Sequence, residues 1–345
     1  MAVHLLYYSE LRSVHSLLAR DGIVVLNGNP ICITGDTSAE RIAPLLANTG
    51  THRATWDIFS VWAAEHSGER LKEAVRVGGR TLGEWTAAWR GAGSADAILK
   101  NLIISWGLDL DHLGGDRDVR NTASYEPARL APAVDSSERL GPAWLVEEMW
   151  TLLEPSGSGN FERFDLHVLR DVLGALARAS SDSENESPGL DSSKVEAVMD
   201  ELGILSSQSS LLSALVNERR IHLLDKTSEV APQDVEPDDQ LVASVAARAV
   251  ALLRLALGSV ATLSDRSGVD STQLEFWARD LLSMRGIDAE AAPSDLWDEI
   301  AFALEDVDQL GFTMAAPSLE GVAVWAPIAQ TLVTTERVVR WVQAV

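Results

Sequence analysis

Two sets of side chains in the sequence have the types and the spacing to act on a phosphodiester. Arg120, Asn121 and Tyr125 lie within one six-residue segment, and Arg12 and His15 are three residues apart. On a helix, that spacing places Arg12 and His15 on the same face. An arginine can stabilise developing negative charge while a histidine transfers a proton. We therefore take Arg120, Asn121 and Tyr125 as candidate catalytic residues, and Arg12 and His15 as candidate substrate-binding residues.

Both sets have a structural alternative. Arg120 could form a salt bridge with Asp116 or Asp118, of which only Asp116, at i−4, would face it on a helix. Carboxylates beside Arg120 would also oppose RNA binding. Arg12 and His15 could instead form an interhelical salt bridge or a hydrogen bond inside the core.

The sequence lacks the common motifs for metals and nucleotides. Asp109, Asp111, Asp116 and Asp118 could offer oxygen ligands to a hard cation, but no glutamate stands where a calcium loop requires it. There is no glycine-rich phosphate loop after a strand and no His-x-x-x-His pair. We expect no metal and no cofactor.

Charge is unevenly distributed along the chain. The net charge is −23; residues 1–110 hold ten Lys and Arg against eleven Asp and Glu, so residues 111–345 hold eighteen against forty. The acidic part repels phosphate backbones, which argues against DNA as a partner. The near-neutral N-terminal part holds four of the seven histidines and is where RNA would bind.

Cysteine content and hydropathy predict a cytoplasmic protein without membrane contact. Cys32 is the single cysteine, which fits a reducing compartment. The N-terminal residues lack the basic and apolar regions of a signal peptide. A bilayer span needs about 20 mostly apolar residues, whereas the longest apolar stretch, Leu241–Leu257, is interrupted by Arg248 and Arg254.

Hydrophobic periodicity predicts a mainly α-helical fold. A first helix should end before Gly22, and a β-hairpin should follow at residues 23–34, the only β element that we predict. Residues 107–142 should form a long connection, because they are rich in Gly, Asp and Pro. Further helices are predicted at 38–46, 51–64, 81–89, 95–106, 143–153, 161–179, 192–205, 208–216, 240–258, 270–284 and 294–306.

A chain of 345 residues exceeds the usual size of a single hydrophobic core. We predict a helical domain with the β-hairpin over residues 1–130, a helical region over 142–230 and an acidic helical C-terminal region over 238–345. The last two could form one domain.

The segment Arg120-Asn121-Thr122-Ala123-Ser124-Tyr125 resembles the signature of the HEPN superfamily, small helical domains common in bacterial toxin–antitoxin and phage-defence systems. That signature has an arginine and a polar residue followed by a histidine, whose position here holds Tyr125. The tyrosine pair Tyr7-Tyr8 is similar to the first helix of such domains. The resemblance covers residues 1–130 and implies metal-independent RNA cleavage at a homodimer interface formed through the N-terminal helices.

The tyrosine in the histidine position puts catalysis in question. Tyrosine has a pKa of about 10 and is a poor base near neutral pH; His112, in the predicted connection, could take its place. We therefore expect a non-catalytic interaction or regulatory subunit of a bacterial multi-protein system, such as one for phage defence. A HEPN-type ribonuclease is the first alternative, and an acidic nucleic-acid mimic that binds a basic partner is the second. The expected partners are proteins, with RNA only for the nuclease.

Overall fold

The computed structural model describes residues 2–26, 29–42, 50–89, 95–106, 108, 110–125, 148, 152, 161–180, 190–204, 209–217, 222–225, 239–269, 273 and 283–284. Within these ranges the protein is mainly helical, as the periodicity predicts. Most of the predicted helices at 143–153 and 270–284, and all of that at 294–306, lie outside the described residues.

The described residues form ten helices and five strands. Helices α1 to α5 span Ala2–Arg20, Thr51–Ala74, Leu82–Ala88, Ala95–Ser105 and Leu110–Tyr125. Helices α6 to α10 span Glu162–Ser180, Ser192–Glu201, Ser209–Asn217, His222–Asp225 and Asp239–Ser267. Strands β1 to β5 span Ile23–Leu26, Asn29–Gly35, Ser38–Arg41, Arg76–Val77 and Arg80–Thr81.

Two helix ends follow from local chemistry. Helix α1 ends before Gly22, which has a φ of 78° that side chains with a Cβ rarely adopt. Helix α3 begins at a capping box in which the Thr81 hydroxyl accepts from the Glu84 backbone and the Glu84 carboxylate accepts from the Thr81 backbone. These interactions satisfy backbone groups that a helix end leaves without partners.

The sheet is larger than the predicted hairpin. Strands β1, β2 and β3 form an antiparallel sheet in that order, and Leu26 pairs with Asn29, so two residues separate β1 from β2. The predicted helix at 38–46 is wrong over Ser38–Arg41, which form β3. All four side chains of β3 are exposed, so no apolar periodicity marks it as a strand. Strands β4 and β5 form a second, two-stranded ribbon that was not predicted.

The predicted connection over 107–142 is wrong over Leu110–Tyr125, which form helix α5; residues 126–142 lie outside the described residues. Leu113 is a buried apolar side chain of α5, but Asp116 and Arg120 are buried as well. Because α5 docks in part through polar side chains, a search for apolar periodicity does not detect it.

Helix α10 packs along α1 and against α2, although it is far from both in sequence. Its Ala247 and Leu252 are fully buried, and one contiguous hydrophobic core joins side chains of α1, α2, α6 and α10. The N-terminal helices therefore share a core with residues 239–267.

Residues 242–267 of α10 are long and apolar enough to cross a bilayer, the one such helix among the described residues. However, 78% of the apolar window is buried inside the protein. Arg248 and Arg254 are each paired with an aspartate of another helix. These properties fit the core helix of a soluble protein.

Candidate functional site

Helices α1, α2 and α5 meet around five side chains that we call the Arg120 cluster: Tyr7, Tyr8, His52, Arg120 and Asn121. The two tyrosines come from α1, His52 from the first turn of α2, and Arg120 and Asn121 from the second half of α5. The cluster forms only when these three helices are packed together.

Arg120 is a buried cation that has no carboxylate partner among the described residues. The residue is 7% exposed. Its Nη2 donates to the Tyr8 hydroxyl at 2.8 Å, and its Nη1 donates to Asn121 Oδ1 at 2.7 Å. Its Cζ lies 5.3 and 5.2 Å from the ring centroids of Tyr7 and Tyr8, within cation–π range. Among the described residues, the Nε atom has no hydrogen-bond partner.

The hydrogen bonds from Arg120 occupy acceptor atoms of Tyr8 and Asn121, so the donor groups of these two side chains stay available to a ligand. The Tyr8 oxygen accepts from Arg120, so the Tyr8 O–H can still donate. Asn121 Oδ1 also accepts from Arg120, so the Asn121 amide group keeps its two N–H donors. Together with the unpaired Nε–H of Arg120, these donors and the positive charge suit an anion such as phosphate.

His52 lies against both tyrosines of the cluster. Its Nδ1 is 3.0 Å from the Tyr7 hydroxyl, and its ring meets that of Tyr8 edge to face at a centroid distance of 5.8 Å. Because Nδ1 is engaged by Tyr7, Nε2 is the ring nitrogen that can interact with a ligand.

The potential at His52 is positive. Burial lowers the pKa of His52, and the charges of Arg120, Arg117 and Arg12 lower it further. The neutral imidazole is therefore favoured near pH 7. This local positive charge contrasts with the net charge of −23 of the whole chain.

Tyr7 holds the His52 ring in place. The Tyr7 residue is fully buried, and its oxygen accepts a hydrogen bond from Trp56 Nε1 at 3.3 Å. Burial raises the pKa of Tyr7 to about 12, although the Trp56 hydrogen bond and the Arg120 charge oppose the rise. Tyr7 therefore stays a neutral phenol and does not act as a base.

One helical turn before Arg120 lies a buried ion pair. The two carboxylate oxygens of Asp116 accept from Nη2 and Nε of Arg248 on α10, at 2.6 and 2.7 Å. Glu10 is also fully buried, with its Oε1 4.0 Å from Arg248 Nε. Burial and the adjacent Asp116 charge raise the pKa of Glu10 well above its ordinary range. The shift favours the protonated form of Glu10, and in that form Asp116 and Arg248 make a balanced pair.

The salt bridge considered for Arg120 does not form. Asp116 binds Arg248, and the exposed Asp118 binds Arg117 at 2.8 Å. Arg120 points instead to the tyrosines of α1. A prediction from helical spacing can pair Arg120 only with carboxylates a few residues away. It could not show that Asp116 pairs with Arg248, which is 132 residues further along the chain.

Arg12 and His15 lie on α1 beyond the cluster. The Thr55 hydroxyl donates to the Thr51 carbonyl at 2.9 Å, so it accepts from His15 Nε2, which is 3.0 Å away. Burial lowers the pKa of His15, and the Arg12 charge lowers it further. His15 is thus an interhelical hydrogen-bond donor, the structural alternative considered above. The exposed Arg12 adds to the positive potential around His15.

Tyr125 is the last residue of α5, and its side chain lies outside the described part of the protein. His112 lies on α5 itself, eight residues from Arg120, or about 12 Å along a helix. The histidine that meets Arg120's neighbours is His52, which sequence reasoning did not single out. One signal in the sequence could have identified it: His52 lies four residues before Trp56 in the predicted helix 51–64, so the two side chains share a face of that helix.

Among the described residues, no group of three or more His, Cys, Asp or Glu side chains is arranged to bind a metal ion. Of the four aspartates clustered in the sequence, Asp116 is paired with Arg248. Asp109 and the side chain of Asp111 lie outside the described part.

The chain matches no protein-family model, and no curated protein or solved structure matches it significantly. Its function must therefore be inferred from the side chains of the Arg120 cluster.

Proposed function

We propose that the Arg120 cluster binds a phosphate of an RNA chain and cleaves that chain without a metal ion. The observation that carries the proposal is the Arg120 guanidinium, which is buried, has an unpaired Nε and has no carboxylate partner among the described residues. A buried charge without an opposite charge is costly, so an anion bound there would be stabilised. This is the HEPN-type alternative, with His52 in place of the motif histidine.

Two further features favour a nucleic-acid phosphate over a small carboxylate. Partly buried aromatic rings, including Tyr8 and the adjacent His4 ring at 4.9 Å, flank the donors. Such rings can stack on the unpaired bases of single-stranded RNA. Two of the three helices of the cluster, α1 and α2, also belong to the near-neutral part of the chain, where a phosphate backbone is repelled least.

The reaction would use the RNA's own 2′-hydroxyl as the nucleophile. In the tautomer whose Nδ1–H donates to the Tyr7 oxygen, His52 Nε2 is unprotonated and accepts the 2′-hydroxyl proton while the 2′-oxygen bonds to phosphorus. The bond from phosphorus to the 5′-oxygen breaks, that oxygen takes a proton from water, and the His52 imidazolium returns its proton to the hydroxide so formed. The products are a 2′,3′-cyclic phosphate and a 5′-hydroxyl. Arg120 and the Tyr8 O–H stabilise the charge on the non-bridging oxygens.

The expected role as a non-catalytic subunit of a cytoplasmic bacterial system stays a prediction. Its partners would be proteins, including a second copy of this chain through the N-terminal helices. The acidic mimic also stays a prediction, and it requires binding to a basic protein that weakens as salt increases.

The test is cleavage of a single-stranded RNA in EDTA by the full-length protein, compared with the same RNA carrying 2′-O-methyl groups. We expect cyclic-phosphate ends from the first RNA and no products from the second. Arg120→Gln and His52→Gln should each reduce the rate at least about a hundredfold, the usual range for losing a charge-stabilising or proton-transfer group.

Matched controls remove the same charge or ring elsewhere. Arg80→Gln removes a half-exposed arginine paired with Glu84, and His66→Gln removes a half-exposed histidine of the same helix as His52. Both controls should retain the wild-type rate. Cleavage that survives Arg120→Gln would refute the assignment of the site, and RNA binding without cleavage would refute the enzyme and favour the interaction role.

A further inference from the structure

Asp116 and Arg120 are placed to neutralise each other. They are four residues apart on α5, the spacing at which an aspartate and an arginine pair on a helix. Both residues are buried, at 0% and 7% exposure, and pairing inside a protein is stronger than at its surface. If they paired, Arg120 would no longer attract an anionic ligand.

Arg248 prevents that pairing. Its Nε and Nη2 occupy both carboxylate oxygens of Asp116 in a bidentate pair, with distances of 2.7 and 2.6 Å. Arg120 instead donates to two neutral oxygens, those of Tyr8 and Asn121. Bidentate pairs between arginine and carboxylate are among the strongest side-chain hydrogen bonds. Arg120 therefore competes poorly for Asp116 while Arg248 is in place.

We infer that Arg248 is a positioning residue for the Arg120 cluster: by binding Asp116, it keeps the Arg120 guanidinium available to an anion. The inference rests on the proposed phosphate-binding function of the cluster. Arg248 acts on the cluster through its two hydrogen bonds to Asp116. Helix α10, far along the chain, thus controls the charge available between α1 and α5.

The test measures binding of a 2′-O-methyl single-stranded RNA, which cannot be cleaved, to full-length variants at low salt. In Arg248→Met, Asp116 is left to pair with Arg120, and affinity should fall about ten- to hundredfold, the range for a lost charged hydrogen bond. The double variant Arg248→Met/Asp116→Asn removes the competing carboxylate. It should recover to within about threefold of wild type, a difference smaller than that of one charged hydrogen bond.

Recovery in the double variant reports on the Asp116 charge at Arg120, and not on restored folding, when circular dichroism shows Arg248→Met folded at the assay temperature. Arg254→Met is the matched control, because it removes another buried arginine of α10 whose carboxylate partner, Asp165, is outside the cluster. Its affinity should match wild type at a temperature where circular dichroism shows both proteins folded. Arg248→Lys keeps the charge but loses the bidentate geometry, so it tests the inference with less risk of unfolding and should show a smaller loss that Asp116→Asn also reverses.

The outcomes separate this inference from the proposed function. If wild-type protein does not bind the RNA, or binds it as tightly after Arg120→Gln, the phosphate site itself is refuted. If wild-type protein binds but Arg248→Met and Arg248→Lys bind equally well, or the double variant does not recover, the positioning role is refuted and the site stands.

Discussion

Replacing Arg254 with methionine should destabilise the protein strongly and in a pH-dependent way. Arg254 is 3% exposed and donates from Nε and Nη2 to the two oxygens of Asp165, at 2.8 and 2.7 Å. It also donates to the Ala74 carbonyl at 2.6 Å. The remaining hydrogen bond to Asp165 comes from the Arg76 backbone at 2.8 Å. Arg254→Met therefore leaves a buried carboxylate with one donor.

The size of the effect can be bounded at each pH. Breaking a buried ion pair costs about 3–5 kcal/mol of unfolding free energy. The variant can limit the charge penalty by protonating Asp165, which costs about 1.4 kcal/mol per pH unit above the unfolded pKa of about 3.9. The charge penalty thus cannot exceed about 4 kcal/mol at pH 7 or about 1.5 kcal/mol at pH 5.

The sign follows from the folded-state pKa. Burial raises the pKa of Asp165 even beside Arg254, and loss of Arg254 raises it further. Between the unfolded and folded pKa values, the folded variant binds more protons than the unfolded chain, so its stability falls as pH rises. Urea denaturation at pH 5 and pH 7 should show a difference from wild type that is larger at pH 7.

The control is Arg266→Met on the same helix. Arg266 is 60% exposed and pairs with Glu73 at 2.8 Å, and an exposed pair contributes about 0.2–1 kcal/mol. A cost below about 1 kcal/mol for Arg254→Met, or one that is equal at the two pH values, would refute the reasoning.

Three other substitutions test the electrostatics and the packing. Arg120→Gln should raise the pKa of His52 but leave that of His15, because the Arg120 charge lowers only the former; NMR titration of the two rings checks this, and equal shifts would contradict it. In wild type, the lowered pKa of each ring means that stability is lost as pH falls below about 6.5. Gly258→Ala should cost about 1–3 kcal/mol by overpacking, since a Cβ there would lie 2.5 Å from the side chain of Ala74. A Cβ at Gly114 would have no atom within 4 Å, so Gly114→Ala should stabilise helix α5 by about 0.5–1 kcal/mol. Thermal melts in which the melting temperatures of both glycine variants shift in the same direction would contradict the packing argument.

Local patterns predicted much of the helical fold. The bounds of α1 follow from apolar spacing and Gly22, and those of α3 from the Thr81 cap. The same rules missed β3, whose side chains are all exposed, and α5, which docks through Asp116 and Arg120. Apolar spacing cannot predict a helix or strand that packs through polar side chains or leaves its side chains exposed.

The candidate site was predicted in part for a related reason. Arg120 and Asn121 were identified from their spacing, but His52 joins them from another helix. The identity of Asp116's partner depends on the packing of α10 and could not be read from neighbouring residues. Long-range pairing decides whether a local pair of charges neutralises itself or remains available to a ligand.

The packing of α10 on α1 also sets an order of events during synthesis. Arg248 is added 132 residues after Asp116, which takes about 7–26 s at the usual 5–20 residues per second. During that interval the emerging chain has made Asp116 and Arg120 but has not yet made the arginine that separates them. Under the proposed role of Arg248, Asp116 and Arg120 would pair with each other in the nascent chain until α10 has been made, and the cluster would bind an anion only once α10 had folded onto the helices made first.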